Sequence, residues 1–96
     1  HGVFKDLYEH IFNPANDEVK NYQYLVSNYS SKVDDVIQSL GTDFIDYIQT
    51  EKPQLMRKAG EICYETNKHS YELRFVIDPV VTMLSLVYKI QQIVRS

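Results

Sequence analysis

The sequence feature that most constrains the fold is an apolar segment, residues 75–88, whose only charged side chain is Asp78. A helix that crosses a bilayer needs about 20 predominantly apolar residues. Arg74 and Lys89 bracket this shorter segment, and an ionised aspartate at the centre of a bilayer costs about 3 kcal/mol. We therefore predict no membrane span. The segment instead predicts a helix that is apolar around most of its circumference and is buried by protein from several sides.

The dipeptide Asp78-Pro79 marks the predicted start of this last helix. An aspartate side chain caps a helix N-terminus, and proline fits the first turn because no backbone donor is needed there. The preceding residues, 70–77, are rich in aromatic and β-branched side chains, which leaves a short strand open as an alternative. We favour a helix that continues through the proline with a kink, since no other segment could pair with a single strand.

A seven-residue repeat of apolar side chains predicts a long helix over residues 17–40. Two carboxylates in its first turn favour the positive end of the helix dipole. Gly41 can close the helix in the left-handed conformation. Residues 27–31, with the sequence SNYSS, are poor helix formers, so a bend is expected there. The repeat consists of Val19, Tyr22, Val26, Tyr29, Val33, Val36 and Leu40.

A short amphipathic helix is predicted near the start of the chain, over residues 3–12. Its apolar side chains recur at three- and four-residue intervals. Asn13-Pro14 ends this helix, because a residue that precedes a proline is disfavoured in helical geometry.

Pro53 interrupts the remaining helical region, because proline lacks a backbone donor and clashes with the preceding turn. We predict two pieces, residues 42–51 with the threonine at their start as N-cap and residues 53–67, followed by a polar connection at 67–70. Short loops force neighbouring helices to run antiparallel. The predicted fold is all-α: a small up-down helical bundle of three long helices plus a short N-terminal helix. Residues 1–96 form a single domain in this interpretation, either whole or excised from a larger protein.

Charge and cysteine content argue against nucleic-acid binding and against a disulfide-stapled scaffold. The formal net charge is −3, whereas a domain that grips phosphates usually carries a surplus of Lys and Arg. The only basic group of note is Lys52, Arg57 and Lys58. Cys63 is the single cysteine, so no internal disulfide can form. We therefore expect a cytoplasmic or other reducing compartment.

No residue pattern in the sequence indicates catalysis. Cys63 lies late in its predicted helix, where the helix dipole opposes a reactive thiolate. Glu61, Glu65 and His69 are spaced by four and could share a helix face, but the Glu-x-x-His pattern of di-iron bundles does not occur. Gly-rich phosphate loops, Gly-x-Ser-x-Gly and Cys-x-x-Cys do not occur either. We predict that the protein is not an enzyme and uses no cofactor, metal or small-molecule substrate.

The predicted function is a non-enzymatic protein-interaction or assembly module that acts through a helical face. The last helix has more apolar surface than the other predicted helices can cover. The apolar stripe that they leave uncovered is expected to contact another protein or a second copy. Acidic residues around the connection between the predicted helices 17–40 and 42–51 could steer a basic partner. Tyrosine is favoured at binding hot spots. The predicted contact residues are Tyr24, Asp34, Asp35, Asp43, Asp46, Tyr71, Met83, Leu86, Ile90 and Ile93.

Two alternative functions remain open from the sequence. A nucleic-acid-associated regulatory domain would use the basic group at residues 52–58, although nucleic acid is the less favoured partner. A small helical immunity- or inhibitor-type protein would share its size and helical pattern with bacteriocin immunity proteins. That likeness is one of fold class and no residue motif carries it.

Overall fold

The computed structural model describes residues 2–96, and these residues form helices without any β-strand. The all-α class is therefore confirmed. The finer prediction of three long helices plus a short N-terminal helix is not matched, because residues 2–96 contain six α-helices. The helices are α1 (Lys5–Phe12), α2 (Glu18–Tyr29), α3 (Val33–Leu40), α4 (Asp43–Glu51), α5 (Ala59–Glu72) and α6 (Pro79–Arg95), with 3-10 segments at Gly2–Phe4 and Pro53–Lys58.

Helix α6 is the central element of the fold. It contacts α1, α2, α3, α5 and the 3-10 segment Pro53–Lys58. Asp78 caps α6 as predicted, because its carboxylate accepts the Val80 backbone N–H at 3.0 Å and proline follows at the first position. The buried apolar side chains form one core, and they are Leu7, Tyr8, Ile11, Leu25, Val33, Val36, Ile37, Leu40, Phe44, Tyr47, Ile48, Ile62, Met83, Leu86, Val87, Ile90 and Ile93.

The residues before α6 are neither a helix that continues through the proline nor a strand. Helix α5 ends at Glu72, and residues 73–78 form a turn whose first bonds run from Arg74 N to Tyr71 O and from Phe75 N to Glu72 O. Asp78 is extended, with φ −119° and ψ 103°. The ring of the following proline disfavours helical geometry at this residue, so the helix cannot pass through.

The long predicted helix breaks at the weak point expected from its composition. Helix α2 ends at Tyr29 and α3 begins at Val33. The Ser30 hydroxyl donates to the Val26 carbonyl, a local bond that competes with continued helix geometry. The seven-residue repeat holds in α3, where its members are buried, but fails in α2, where Val19 and Tyr22 are exposed.

Gly41 does not adopt the predicted left-handed conformation, since its φ is −101°. A glycine is needed for a different reason: a Cβ at this position would lie 2.9 Å from Cγ2 of Thr66, where α3 packs against α5. Thr42 occupies the N-cap position of α4 but makes no side-chain cap bond. Its hydroxyl instead donates to the Gln38 carbonyl at 3.0 Å and closes the end of α3.

Pro53 divides the next region as predicted, but the second piece differs from the expectation. Residues 53–58 form a 3-10 segment, and α5 then runs to Glu72 through the predicted polar connection at 67–70. His69, in the middle of that stretch, is buried rather than exposed. The hydrogen bond between its Nε2 and the Ser85 hydroxyl links α5 to α6, and this tertiary contact favours helix in a locally polar sequence.

Candidate interaction surface

An apolar groove about 340 Å³ in volume lies between α2 and α6. On α6, Val81, Leu84, Ser85 and Tyr88 line it, and their three- and four-residue spacing places them on one helix face. On α2, the main apolar contribution comes from Tyr22. We call these five residues the α2–α6 groove.

The groove exposes large apolar side chains to solvent. Val81 is 59% exposed, Tyr22 is 57% exposed and Tyr88 is 39% exposed. Val19, one helical turn before Tyr22, is also exposed. Scattered surface apolar residues are ordinary, but a contiguous set on one face is typical of a binding surface.

The end of α5 and the turn at residues 73–78, which precedes α6, expose further apolar side chains. Ile77 is fully exposed, and Phe75 and Tyr71 are largely exposed. The rings of Tyr71 and Phe75 contact each other with centroids 5.3 Å apart, and the Arg74 guanidinium lies 5.7 Å from the Tyr71 ring centroid. These side chains therefore cover one another only in part.

A buried pair of amides links α2 to α6 next to the groove, and one of the pair, Asn21, also lines it. The Asn21 side-chain amide donates to Oε1 of Gln91 at 2.6 Å, and Nε2 of Gln91 donates back to Oδ1 of Asn21 at 3.1 Å. Both side chains are buried. Reciprocal bonds of this kind fix the register of α2 against α6, because a shift along either helix would leave buried polar groups unpaired.

His10 extends this polar network toward α1. Its Nε2 lies 2.7 Å from Oδ1 of Asn21 and its Nδ1 lies 3.1 Å from Nδ2 of Asn16. This pattern fits a neutral imidazole that donates from Nε2 and accepts at Nδ1. Burial lowers the pKa of His10, the hydrogen bond to Asn21 partly opposes this change, and the nearby Arg95 charge adds to it. The imidazole also stacks on Tyr24, with ring centroids 4.3 Å apart.

Four of the predicted contact residues lie in the core. Met83, Leu86 and Ile90 are fully buried and Ile93 is nearly so. They face the other helices of the same chain and present no surface to a partner. The outward face of α6 is instead the one that carries Val81 and Tyr88.

The two tyrosines predicted as contacts lie in different environments. Tyr71 is exposed next to the 73–78 turn. Tyr24 is half-buried between His10 and Tyr29. Burial, followed by the contact with Tyr29, raises the pKa of Tyr24. Tyr24 therefore belongs mainly to the packing of α1 against α2.

The predicted acidic residues are distributed over α3 and α4. Asp34 and Asp35 are exposed and line a surface depression that Pro79 also lines. Asp43 is half-buried and accepts a hydrogen bond from the Tyr8 hydroxyl at 3.0 Å. Burial is the main cause that raises the pKa of Tyr8. Asp46 is exposed on α4.

The predicted basic group does not form a patch. Lys58 is buried, and its ammonium donates to the Ile93 carbonyl at 2.6 Å and to the backbone oxygen of Ser96 at 2.8 Å. This cation at the C-terminal end of α6 is favoured by the helix dipole. Lys52 lies 5.0 Å from the Phe12 ring centroid, a cation–π contact. Arg57 alone is exposed.

The candidate metal ligands share a helix face but serve different structural roles. The His69 Nδ1–H donates to the Glu65 carbonyl at 2.7 Å, and Nε2 accepts from the Ser85 hydroxyl at 3.2 Å. Glu61 is exposed, and Cys63 is half-buried with its sulfur 3.9 Å from the Gly41 carbonyl. Within residues 2–96, no group of three or more His, Cys, Asp or Glu side chains is arranged to hold a metal ion.

None of the helices within residues 2–96 combines the length and the apolar composition that crossing a membrane requires. No protein-family model, no curated protein and no solved structure matches this chain.

Proposed function

We propose that this chain is a protein-interaction module that binds a partner protein through the α2–α6 groove. The proposed activity is association rather than catalysis. The observation that carries this proposal is the exposure of Tyr22, Val81 and Tyr88 along one groove. Covering such a surface is favourable by about 25 cal/mol per Å² of apolar area removed from water.

The residue types in the groove fit a binding surface. Tyr22 and Tyr88 each offer a large ring and a hydroxyl that can remain in contact with water or with a partner. Tyrosine is enriched at binding hot spots because it buries much area while few rotamers are lost. A partner helix with apolar side chains at three- and four-residue spacing would match the groove.

The groove is rigidly supported, which lowers the conformational cost of binding. Helix α2 is held to α6 by the buried amide pair Asn21–Gln91. The end of α6 is held by Lys58, and the Arg95 guanidinium donates to the Asn13 and Asn16 carbonyls at 3.0 and 3.2 Å. A surface that is already ordered before binding loses less entropy on association.

A second depression, about 580 Å³ in volume, lies between α3 and α5 and is less suited to binding. Its lining is mostly polar and exposed, with Asp34, Gln38, Asn67 and Arg74 among its residues. Ligand sites are usually concave and lined mainly by apolar side chains with a few placed polar groups. The α2–α6 groove meets the apolar part of that description better.

Site-specific photo-cross-linking tests this proposal. A benzophenone amino acid replaces Tyr88 in the groove, and in a matched control it replaces Tyr64, which is exposed on α5 and does not line the groove. Irradiation in cells that produce the protein is expected to give protein-sized adducts from position 88 and not from position 64. Equal adducts from both positions, or none from position 88, would refute the proposal.

A further inference from the structure

We propose that the occupant of the α2–α6 groove is the same groove of a second copy of this chain. The two α6 helices run antiparallel across a two-fold axis that passes between Leu84 and Ser85. This inference depends on the proposed function, because it names the partner of that surface.

The spacing of side chains on α6 is self-complementary. When the direction of the helix is reversed about a point between residues 84 and 85, Val81 of one copy lies opposite Tyr88 of the other. The small valine and the large phenol ring occupy complementary spaces, and the contact occurs twice by symmetry. Leu84 of one copy likewise lies opposite Ser85 of the other, again a large side chain against a small one.

The charges beside the groove favour the same arrangement. Asp78 and Lys89 are both exposed. They are 11 residues apart, which places them within about 20° of each other around the helix at ~100° per residue. The two-fold axis brings Lys89 of one copy to within about two residues, roughly 3 Å along the axis, of Asp78 of the other. A parallel arrangement would place these two groups at opposite ends of the interface.

The size of the face suits a weak dimer. Helix α6 has 17 residues and is therefore about 25 Å long, and two adjacent helices are about 20 Å wide. The face is then on the order of 500 Å² in projection, near the low end for specific interfaces, where about 800 Å² per partner is standard. Interfaces at this low end are typically weak or transient, so we expect a dissociation constant of about micromolar order.

Sedimentation equilibrium of the purified chain tests the inference directly. The mass is expected to rise from 11.3 kDa toward twice that value as concentration increases from about 1 μM to about 1 mM. Val81→Glu is expected to raise the dissociation constant about 100-fold, because each dimer would then bury two carboxylates. Val3→Glu is the matched control, since Val3 is exposed and does not line the groove. Unchanged helical circular dichroism shows that both variants fold.

Cysteine cross-linking tests the position of the two-fold axis. Cys63→Ser removes the native thiol, and Ser85→Cys then places one thiol beside the proposed axis. A short bifunctional maleimide is expected to link two copies of this variant. Gln49→Cys is the control, because Gln49 is an exposed residue of α4. This variant is expected to remain unlinked.

The outcomes separate this inference from the proposed function. A strict monomer at about 1 mM, or a dimer that Val81→Glu does not weaken, would overturn the second-copy inference. If position 88 still cross-links to a different protein, the binding function stands and only its partner changes. If position 88 captures nothing, both proposals fail.

Discussion

Replacing Gln91 with methionine tests whether the buried amide pair holds α2 against α6. Gln91 is 1% exposed and Asn21 is 2% exposed. Methionine has a similar length and volume, so the variant removes hydrogen-bonding capacity with little change in packing. The Asn21 side-chain amide then loses its acceptor at 2.6 Å, while its carbonyl oxygen keeps the bond from His10 at 2.7 Å.

The expected loss of stability is substantial for a chain of this size. Leaving one buried donor without a partner costs about 1–3 kcal/mol. Small domains have a free energy of unfolding of about 5–15 kcal/mol. For a domain of 60–100 residues, each 1 kcal/mol lowers the melting temperature by roughly 4–8 °C. We therefore expect Gln91→Met to lower the melting temperature by about 8–16 °C, which corresponds to ~2 kcal/mol.

Thermal unfolding monitored by circular dichroism measures the melting temperature, and urea denaturation measures the change in the free energy of unfolding, provided that the m-value is unchanged. Gln92→Met is the matched control, because Gln92 is the next residue on the same helix and is exposed. We expect that control to change the free energy of unfolding by no more than about 0.5 kcal/mol. If both variants behave alike, the amide pair does not stabilise the packing of α2 on α6.

Three further predictions concern other parts of the fold. Because burial lowers the pKa of His10, the unfolded chain takes up the proton first as the pH falls below about 6.5. The contribution of neutral His10 to stability is therefore complete above that pH and is lost as the pH falls below it. Between pH 7 and pH 5, we expect the free energy of unfolding, measured by urea denaturation, to fall less in His10→Gln than in the unsubstituted protein. Gly41→Ala places a Cβ 2.9 Å from Cγ2 of Thr66, so thermal unfolding should show a loss of stability of about 1–3 kcal/mol. Adding Thr66→Ser, which removes that methyl group, should restore part of the lost stability. Lys58→Met removes the cation that binds the end of α6 and should cost about 1–3 kcal/mol in urea denaturation, whereas exposed Arg57→Met should have little effect.

Local signals predicted the ends of several helices correctly. Asp78-Pro79 determines the start of α6 because the cap bond and the fixed proline geometry involve only neighbouring residues. The break near residues 27–31 also follows from local chemistry, since serine hydroxyls compete for backbone carbonyls. By contrast, the buried state of Asn21 depends on Gln91, which is 70 residues away. No spacing pattern within α2 could reveal that partner.

The candidate surface was only partly predictable from the sequence. A helix that is apolar around most of its circumference does not show which side faces outward. Met83 and Val81 are equally apolar, and only the arrangement of the other helices places the first in the core and the second in the groove. At residues 73–78 the constraint was local instead: Pro79 disfavours helical geometry at Asp78, and the prediction of a kinked helix gave that constraint too little weight.

The central position of α6 affects how the chain folds during synthesis. Helices α1, α2, α3 and α5 all pack against α6, yet the ribosome makes α6 after all of them. At roughly 5–20 residues per second, several seconds separate the first helix from the last. During that interval the apolar faces of the earlier helices lack the helix on which they pack, so a chaperone that binds apolar segments has its main opportunity then.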